Sequence, residues 1–317
     1  MFEELRGQKQ AVELLTQAVK QNRIAPAYLF VGADGIGRSL AAKCFIELLF
    51  STSVQPHQIA TLKNRIRQGN HPALFWVEPT YQYQGQRLTA AEASEKGVKR
   101  KAPPVIRLEQ IREITQFLSR PPLEAPRNVV VLEQAETMAE SAANALLKTL
   151  EEPGKATLIL IAPSPESVLP TLVSRCQKIP FYRLDTVAMN QVLTQTGNVE
   201  VLQHPEVLSL AAGSPGTAIL AYQQLQTINS ELLLEVKKIP TSYRHALELA
   251  KKIDKELDTE AQLWLIDYLQ QFYWQQRHTR SIIEQLEKTR KNLLSYAQPQ
   301  LVWECTFLSI LQISQLR

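Results

Sequence analysis

Gly32-Ala33-Asp34-Gly35-Ile36-Gly37-Arg38-Ser39 stands between a short apolar run, Ala27-Tyr28-Leu29-Phe30-Val31, and a stretch from Arg38 to Phe50 with apolar Leu40, Cys44, Ile46 and Leu48. A buried strand, a glycine turn and a helix in that order make the frame of a phosphate-binding loop, or P-loop. Glycines let backbone N–H groups turn inward around a phosphate, and the following helix adds its positive N-terminal end. A lysine then reaches the β- and γ-phosphates, and a Ser or Thr hydroxyl holds magnesium. Gly32, Gly35, Gly37 and Ser39 satisfy the pattern, but Arg38 occupies the lysine position. A guanidinium keeps the charge as a planar fork rather than a compact point. The loop therefore predicts weak or vestigial ATP and magnesium binding at most. A glycine turn that only maintains the fold accounts for the same residues.

A second strand bears on the same chemistry. Val129-Val130-Val131-Leu132-Glu133-Gln134-Ala135-Glu136 has the shape of a Walker B strand, an apolar run ending in two acids. The first acid of that motif holds magnesium and the second polarises the attacking water. Here Glu133 takes the first position and Gln134 the second, and a neutral amide cannot serve as a general base. Outward from these two strands the chain alternates. Helical spacing covers residues 8–22, with Ala11, Leu14, Leu15, Ala18 and Val19 on one face. Residues 51–70 are polar. Leu74 to Val77 is a candidate strand, residues 80–104 read as a long surface loop, and a helix covers Leu108 to Leu118. Thr137-Met138-Ala139-Glu140 has capping-box spacing ahead of a helix burying Ala142, Ala145, Leu146 and Leu150. Thr157 to Ala162 is another buried strand. Strands alternating with helices imply right-handed crossovers and a parallel α/β sheet. The pattern ends near Phe181, and only helices are expected beyond about residue 183. The domain plan is 1–183 (α/β), 184–227 (small helical) and 228–317 (helical).

Composition bounds the rest. Of 317 residues, 44% are hydrophobic and 21% charged, which excludes a disordered or fibrous chain. A net charge of +4 permits nucleic-acid contact without requiring it. Cys44, Cys176 and Cys305 are three and far apart, so no disulfide framework is indicated. The opening Met1-Phe2-Glu3-Glu4-Leu5-Arg6 has no export signal, and no apolar run is long enough to span a bilayer. The cytoplasm is the expected location, with no membrane contact.

Four further stretches carry a resemblance. Asn144-Ala145-Leu146-Leu147-Lys148-Thr149-Leu150-Glu151-Glu152-Pro153 resembles the helix after Walker B in bacterial clamp-loader subunits of the AAA+ family. Leu169-Pro170-Thr171-Leu172-Val173-Ser174-Arg175-Cys176 resembles the family's Ser-Arg-Cys segment, Gly69-Asn70-His71-Pro72 its Gly-Asn-His-Pro turn, and Gly213-Ser214-Pro215-Gly216 the glycine turn of its lid domain. They occur in the family's order and anchor residues 1 to about 220. The resemblance implies an AAA+ P-loop domain, a helical lid and an all-α collar that joins the subunit to others. It implies a subunit of the non-motor type in a hetero-oligomer, a pentamer, with motor ATPase and delta-type subunits. Such a complex uses ATP to place a sliding clamp on primer–template DNA. It also gives Arg175 a role as an arginine finger that enters a neighbour's ATP site and stabilises charge on the transferring phosphate. Read on its own, Arg175 fits a structural ion pair equally well.

Three departures from the family pattern agree with one another. Residues 45–70 contain no cysteine where many members carry four zinc ligands, so no metal is expected. His57 and His71 alone cannot build a four-ligand site. The strand at 158–162 runs into Ala162-Pro163, where active members place a polar group that senses the γ-phosphate. Gly216 occupies the region of a phosphate-sensing arginine. Hence no cofactor is required. An autonomous AAA+ ATPase, of motor or branch-migration type, and a stand-alone nucleic-acid binder are the competing readings.

The cluster Lys96, Lys99, Arg100 and Lys101 admits two readings, contact with DNA phosphates or a solvated loop, and the second assumes less. Trp264, Tyr268, Phe272 and Tyr273, at helical spacing within 258–277, fit the packed face of a helix better than a platform for bases. Near 299–316, Leu301, Cys305, Leu308 and Leu311 mark one side for burial or subunit contact. His204, His245 and His278 are isolated and carry no assignment. Metal analysis of the purified chain is expected to find no stoichiometric zinc; one zinc per chain surviving dialysis would refute the reading of residues 45–70.

Overall fold

The computed structural model describes residues 2–96, 103–277, 280–295 and 297–315. Lys99, Arg100, Lys101 and His278 lie outside the described residues. The chain divides into two compact units, Met1–Ala188 and Met189–Arg317. Among the described residues no helix is long and apolar enough to cross a membrane.

In chain order the first unit contains α1 (Lys9–Lys20), β1 (Ala27–Val31), α2 (Arg38–Ser51), α3 (Ile59–Arg67), β2 (Leu74–Val77), β3 (Tyr81–Tyr83), β4 (Gln86–Leu88) and α4 (Ala90–Glu95). It continues with α5 (Leu108–Leu118), β5 (Asn128–Leu132), α6 (Glu140–Glu151), β6 (Ala156–Ala162), α7 (Pro170–Val173) and β7 (Gln177–Pro180). Five strands form one sheet in the order β2-β5-β6-β1-β7, every pair parallel. Every residue of β5 and β6 is buried. Strand alternation sorts them: Tyr28, Phe30, Val129, Val131, Ile159 and Ile161 pack with Leu15, Phe45 and Phe50 of α1 and α2. Leu29, Val130, Leu132, Leu158 and Leu160 pack with Ile111, Ile114, Leu146 and Leu150 of α5 and α6. A sheet buried on both faces needs helices on both, which the crossovers supply.

Three sequence expectations change in this unit. Within 80–104 the described residues are not a bare loop: β3 and β4 form an antiparallel hairpin, followed by α4. Its two turn residues, Gln84 and Gly85, have φ of 48° and 77°, the left-handed pair that a tight hairpin turn requires. The hairpin carries little apolar periodicity, since Leu88 is its one buried strand residue. The capping box at Thr137 does not form. Thr137 Oγ1 donates to the Gln134 carbonyl at 2.8 Å, closing a 3-10 turn over Ala135–Thr137, and α6 starts two residues later behind Ala139. On α6 the fully buried residues are Ala142, Ala143, Leu146 and Leu150, with Ala145 only half-buried. In addition, β7 extends the sheet beyond β1, a strand with Ile179 as its single buried residue.

The second unit follows α8 (Thr186–Gln195), in which the boundary between units falls. It comprises α9 (Pro205–Ala211), α10 (Pro215–Thr227), α11 (Ser230–Val236), α12 (Tyr243–Glu256), α13 (Thr259–Arg277), α14 (Arg280–Leu294) and α15 (Pro299–Gln315). Two hydrophobic clusters fill it, one around Met189, Leu193, Val207 and Ala218, the other around Leu249, Leu265, Leu286, Trp303 and Phe307. Trp264 packs against both. Tyr268 and Tyr273 are buried, and the Tyr273 hydroxyl donates to the Val236 carbonyl at 3.1 Å, so the aromatic stripe of α13 is a packed face. On α15 the buried stripe is Val302, Trp303, Thr306, Phe307, Ile310 and Leu311, while Leu301 and Cys305 face solvent. Larger aromatic volumes at 303 and 307 decide which side of this mostly apolar helix turns inward.

Gly32 leaves β1 beside β7. A Cβ there would meet the Phe181 carbonyl oxygen at 2.5 Å and Ile36 Cδ1 at 2.6 Å. The Phe181 backbone is held by its N–H donating to Val31 at 2.7 Å, so it cannot yield cheaply. Gly32→Ala is expected to lower the unfolding free energy of the chain by about 2 kcal/mol, read by chemical denaturation; an unchanged midpoint would contradict this packing.

Candidate functional site

The parallel register brings three strand ends together. Val31 lies level with Ala162, and Leu132 with Leu160, so the loop after β1 and the segment after β5 flank the end of β6. The loop turns on Gly35 (φ 71°) and Gly37 (φ 99°), and Gly37 stands at the N-cap of α2 without any side-chain cap. The first-turn amides of α2 therefore point away from their own helix, the arrangement that receives anions.

Ser39 Oγ donates directly to Glu133 Oε1, so the two sequence-predicted magnesium positions meet. Burial pushes the Glu133 carboxyl above its ordinary range; the Ser39 bond opposes that shift, Glu78 adds to it, and Arg38 and Lys43 oppose it. Gln134 adopts the left-handed conformation (φ 49°) and is exposed, with no carboxylate at the position that would polarise water. An open cleft of about 380 Å³ is lined by Ser39, Lys43, Trp76, Glu78, Glu133 and Gln134, among others.

Arg38 is turned onto its own loop. Its side chain is 8% exposed and bonds Asp34, four residues back, whose side chain is 75% exposed. Arg38 Nη1 is buried with no hydrogen-bond partner among the described residues, and so is Glu136 Oε2. Burial also raises the Glu136 carboxyl, with Asp34 and Glu133 adding to the shift and Arg38 opposing it. The Arg38–Asp34 pair is a weak lock. A pair with one partner in water contributes about 0–1 kcal/mol, so a phosphate could displace Asp34. A missing general base costs more, since positioned bases contribute roughly 10²–10⁴-fold. On these magnitudes an amide at position 134 weighs more against hydrolysis than an arginine at position 38.

Arg175 is not part of this cluster. It lies between α7 and β7, and β7 starts level with Tyr28, near the beginning of β1. Arg175 thus sits at the N-terminal edge of the sheet, and the phosphate loop at the C-terminal edge. The length of β1 separates them, about 13 Å at 3.3 Å per residue. Nη1 of Arg175 donates to the Thr171 carbonyl at 3.0 Å and Nη2 to Glu151 Oε1 at 2.9 Å. The side chain is 38% exposed. Burial pushes the neighbouring Cys176 thiol up to about 11, so it stays protonated at neutral pH.

Sequence reasoning missed Glu78, Lys43, Asp34 and Glu151. Two had a signal. Lys43 stands one turn beyond Ser39 on α2, and Glu78 follows β2 as Glu133 follows the in-register β5, with the Glu133 N–H donating to Val77 at 2.9 Å. Among the described residues no group of three or more His, Cys, Asp or Glu is placed to hold a metal ion.

Comparison with known proteins bears on both units. Residues 7–185, more than half of the chain, match the family model described as DNA polymerase III, delta subunit. Residues 187–310 match the model described as cyanobacterial DNA polymerase III delta prime, C-terminal domain. The chain is 31% identical over 191 residues to DNA polymerase III subunit delta' of Bacillus subtilis, covering 59% of this chain and 51% of the relative. It is 33% identical over 223 residues to the same subunit of Pseudomonas aeruginosa, covering 68% of this chain and 61% of the relative. The matched regions thus span about half to three fifths of these curated relatives. A DNA polymerase III gamma subunit-related protein from Thermotoga maritima aligns with a TM-score of 0.53 and 16% identity over 96% of this chain and 99% of its own, a likeness of fold.

The isolated chain is expected to release phosphate from ATP no faster than background, and Arg38→Lys alone is expected to leave it there, because Gln134 still lacks a base. Turnover of about one per second, ordinary for an enzyme, lost on Ser39→Ala, would refute this reading of the site.

Proposed function

The chain belongs to the DNA polymerase III delta-prime family, and from that premise we propose that it is a clamp-loader subunit that does not hydrolyse ATP itself and supplies Arg175 to a neighbouring subunit's ATP site. One observation carries the proposal. Arg175 is exposed, oriented by two hydrogen bonds, and set at the opposite edge of the sheet from its own phosphate loop. A guanidinium has five N–H donors. With two engaged, three are left for a phosphate that is not this chain's own.

We further propose the assembly that the family resemblance implies. The loader is a hetero-oligomeric pentamer in the cytoplasm, built with motor ATPase and delta-type subunits, that places the sliding clamp on primer–template DNA. No cofactor and no zinc are required of this subunit. The domains run 1–183, 184–227 and 228–317, the last being the collar. Exposed Leu234, Tyr243, Leu247, Leu294 and Leu301 support a collar that meets other subunits through its helices.

The test pairs two assays on complexes reconstituted with wild-type or Arg175→Ala subunit. Folding and assembly are expected to persist, because an exposed arginine contributes little to its own core. DNA-stimulated ATP turnover is expected to fall in part, since the other sites keep their own fingers, and clamp loading to fall more if the sites fire together. Arg175→Lys is expected to rescue poorly, as a point charge lacks the bidentate fork. Unchanged rates in both assays would leave Arg175 a structural ion-pair partner.

A further inference from the structure

We propose that Glu151 is a positioning residue for Arg175, holding its guanidinium in the orientation it presents to the neighbouring ATP site; this rests on the reading of Arg175 as a finger in trans. The two residues are 24 apart in sequence and belong to different elements. Glu151 is the last residue of α6, and Arg175 follows α7, with Glu151 Oε1 accepting from Arg175 Nη2 at 2.9 Å.

Helix stability does not account for Glu151. A carboxylate at a helix C-terminus meets the negative end of the macrodipole and is disfavoured there. Packing does not account for it either, because its side chain is 55% exposed. The ion pair adds little to the fold, since water screens pairs between exposed groups and ordering two long side chains offsets the rest. What the bond does fix is direction. A guanidinium on a flexible stem sweeps many rotamers, and holding a reacting group in place is worth far more to a rate than the same contact is to stability. Two anchors meet one end of the fork. Thr171 supplies a backbone carbonyl to Nη1 and Glu151 a carboxylate to Nη2. With the side-chain stem as the third point, the two anchors fix the plane of the guanidinium, whereas the Thr171 carbonyl alone would leave it free to pivot. Nε and one N–H on each Nη remain for an incoming phosphate. Glu151 withdraws little of the arginine's charge, because water screens a pair this exposed.

The experiment is a double-mutant cycle in the reconstituted complex, using Glu151→Ala, Arg175→Ala and the double variant. The readouts are ATP turnover, clamp loading and thermal unfolding of the subunit. Glu151→Ala is expected to slow clamp loading about tenfold, with the ATP concentration for half-maximal rate unchanged and the melting temperature within a degree or two. In the Arg175→Ala background the same change is expected to do nothing further, because the group it positions is gone. Glu151→Gln keeps an acceptor oxygen at the same reach and is expected to recover part of the loss. If Arg175→Ala slows loading while Glu151→Ala does not, or if the two losses multiply, positioning is refuted and the finger stands. If Arg175→Ala has no effect, the finger reading falls, and this inference with it. A fall in melting temperature for Glu151→Ala that accounts for the lost activity would make Glu151 structural and also overturn the proposal.

Discussion

β6, from Ala156 to Ala162, has no exposed residue, and a strand buried on both faces has to be covered twice. That requirement organises the first unit. β5 and β1 take its two edges, α1 and α2 cover one face and α5 and α6 the other. Because all the pairings are parallel, the chain leaves every strand at the same edge of the sheet. The glycine loop after β1 and Glu133 after β5 therefore emerge on either side of the end of β6. The Ser39–Glu133 bond follows from topology before any nucleotide is considered. Between them runs Ala162-Pro163, which offers no side-chain donor to a phosphate.

Magnitudes separate what is lost at this site from what is merely altered. Exchange of lysine for arginine at position 38 leaves a charge in the loop, and its bond to Asp34 is weak because Asp34 stands in water. The left-handed turn at Gln134 is closed by the Thr137 hydroxyl, and its side chain is an amide. The frame of the loop is thus held by packing, whereas the residue at position 134 is a single exposed side chain that packing does not constrain. Loss of a base costs the fold nothing, whereas loss of a glycine such as Gly32 would drive a Cβ into the Phe181 carbonyl. Loop geometry and catalysis are under separate physical constraints.

How much of this could be read from the sequence depended on whether a feature is periodic. The strands at 27–31, 129–132 and 157–162 are continuous apolar runs, and full burial leaves no other composition open to them. β7 escaped notice because an edge strand with one buried residue has no run to show. The β3–β4 hairpin escaped for the same reason, and its Gln84-Gly85 turn lacks the usual Asn or Asp. On α15 apolar residues fall on more than one side, so periodicity could not choose a face, and the volumes of Trp303 and Phe307 chose it instead. At the site, Ser39, Glu133 and Gln134 were legible because strand ends and loops impose their spacing. Glu151 was not, because a contact between exposed residues 24 positions apart leaves no pattern along the chain.

The same strand length that separates Arg175 from the phosphate loop explains why losing one need not compromise the other. An arginine at the N-terminal edge of a parallel sheet cannot serve a loop at the C-terminal edge of that sheet, since β1 and β7 run in register between them. Its three remaining N–H donors face away from that loop. Glu151 belongs to the same edge, because α6 ends there before β6 begins. A chain of this topology sets the glycine loop and the Glu151–Arg175 pair at opposite edges of one sheet. The amide at position 134 and the guanidinium at position 175 therefore share no contact, and either can change without the other. The exposed pair Glu151–Arg175 adds little to stability, so its physical effect is to fix how a guanidinium is presented at that edge rather than to bury surface.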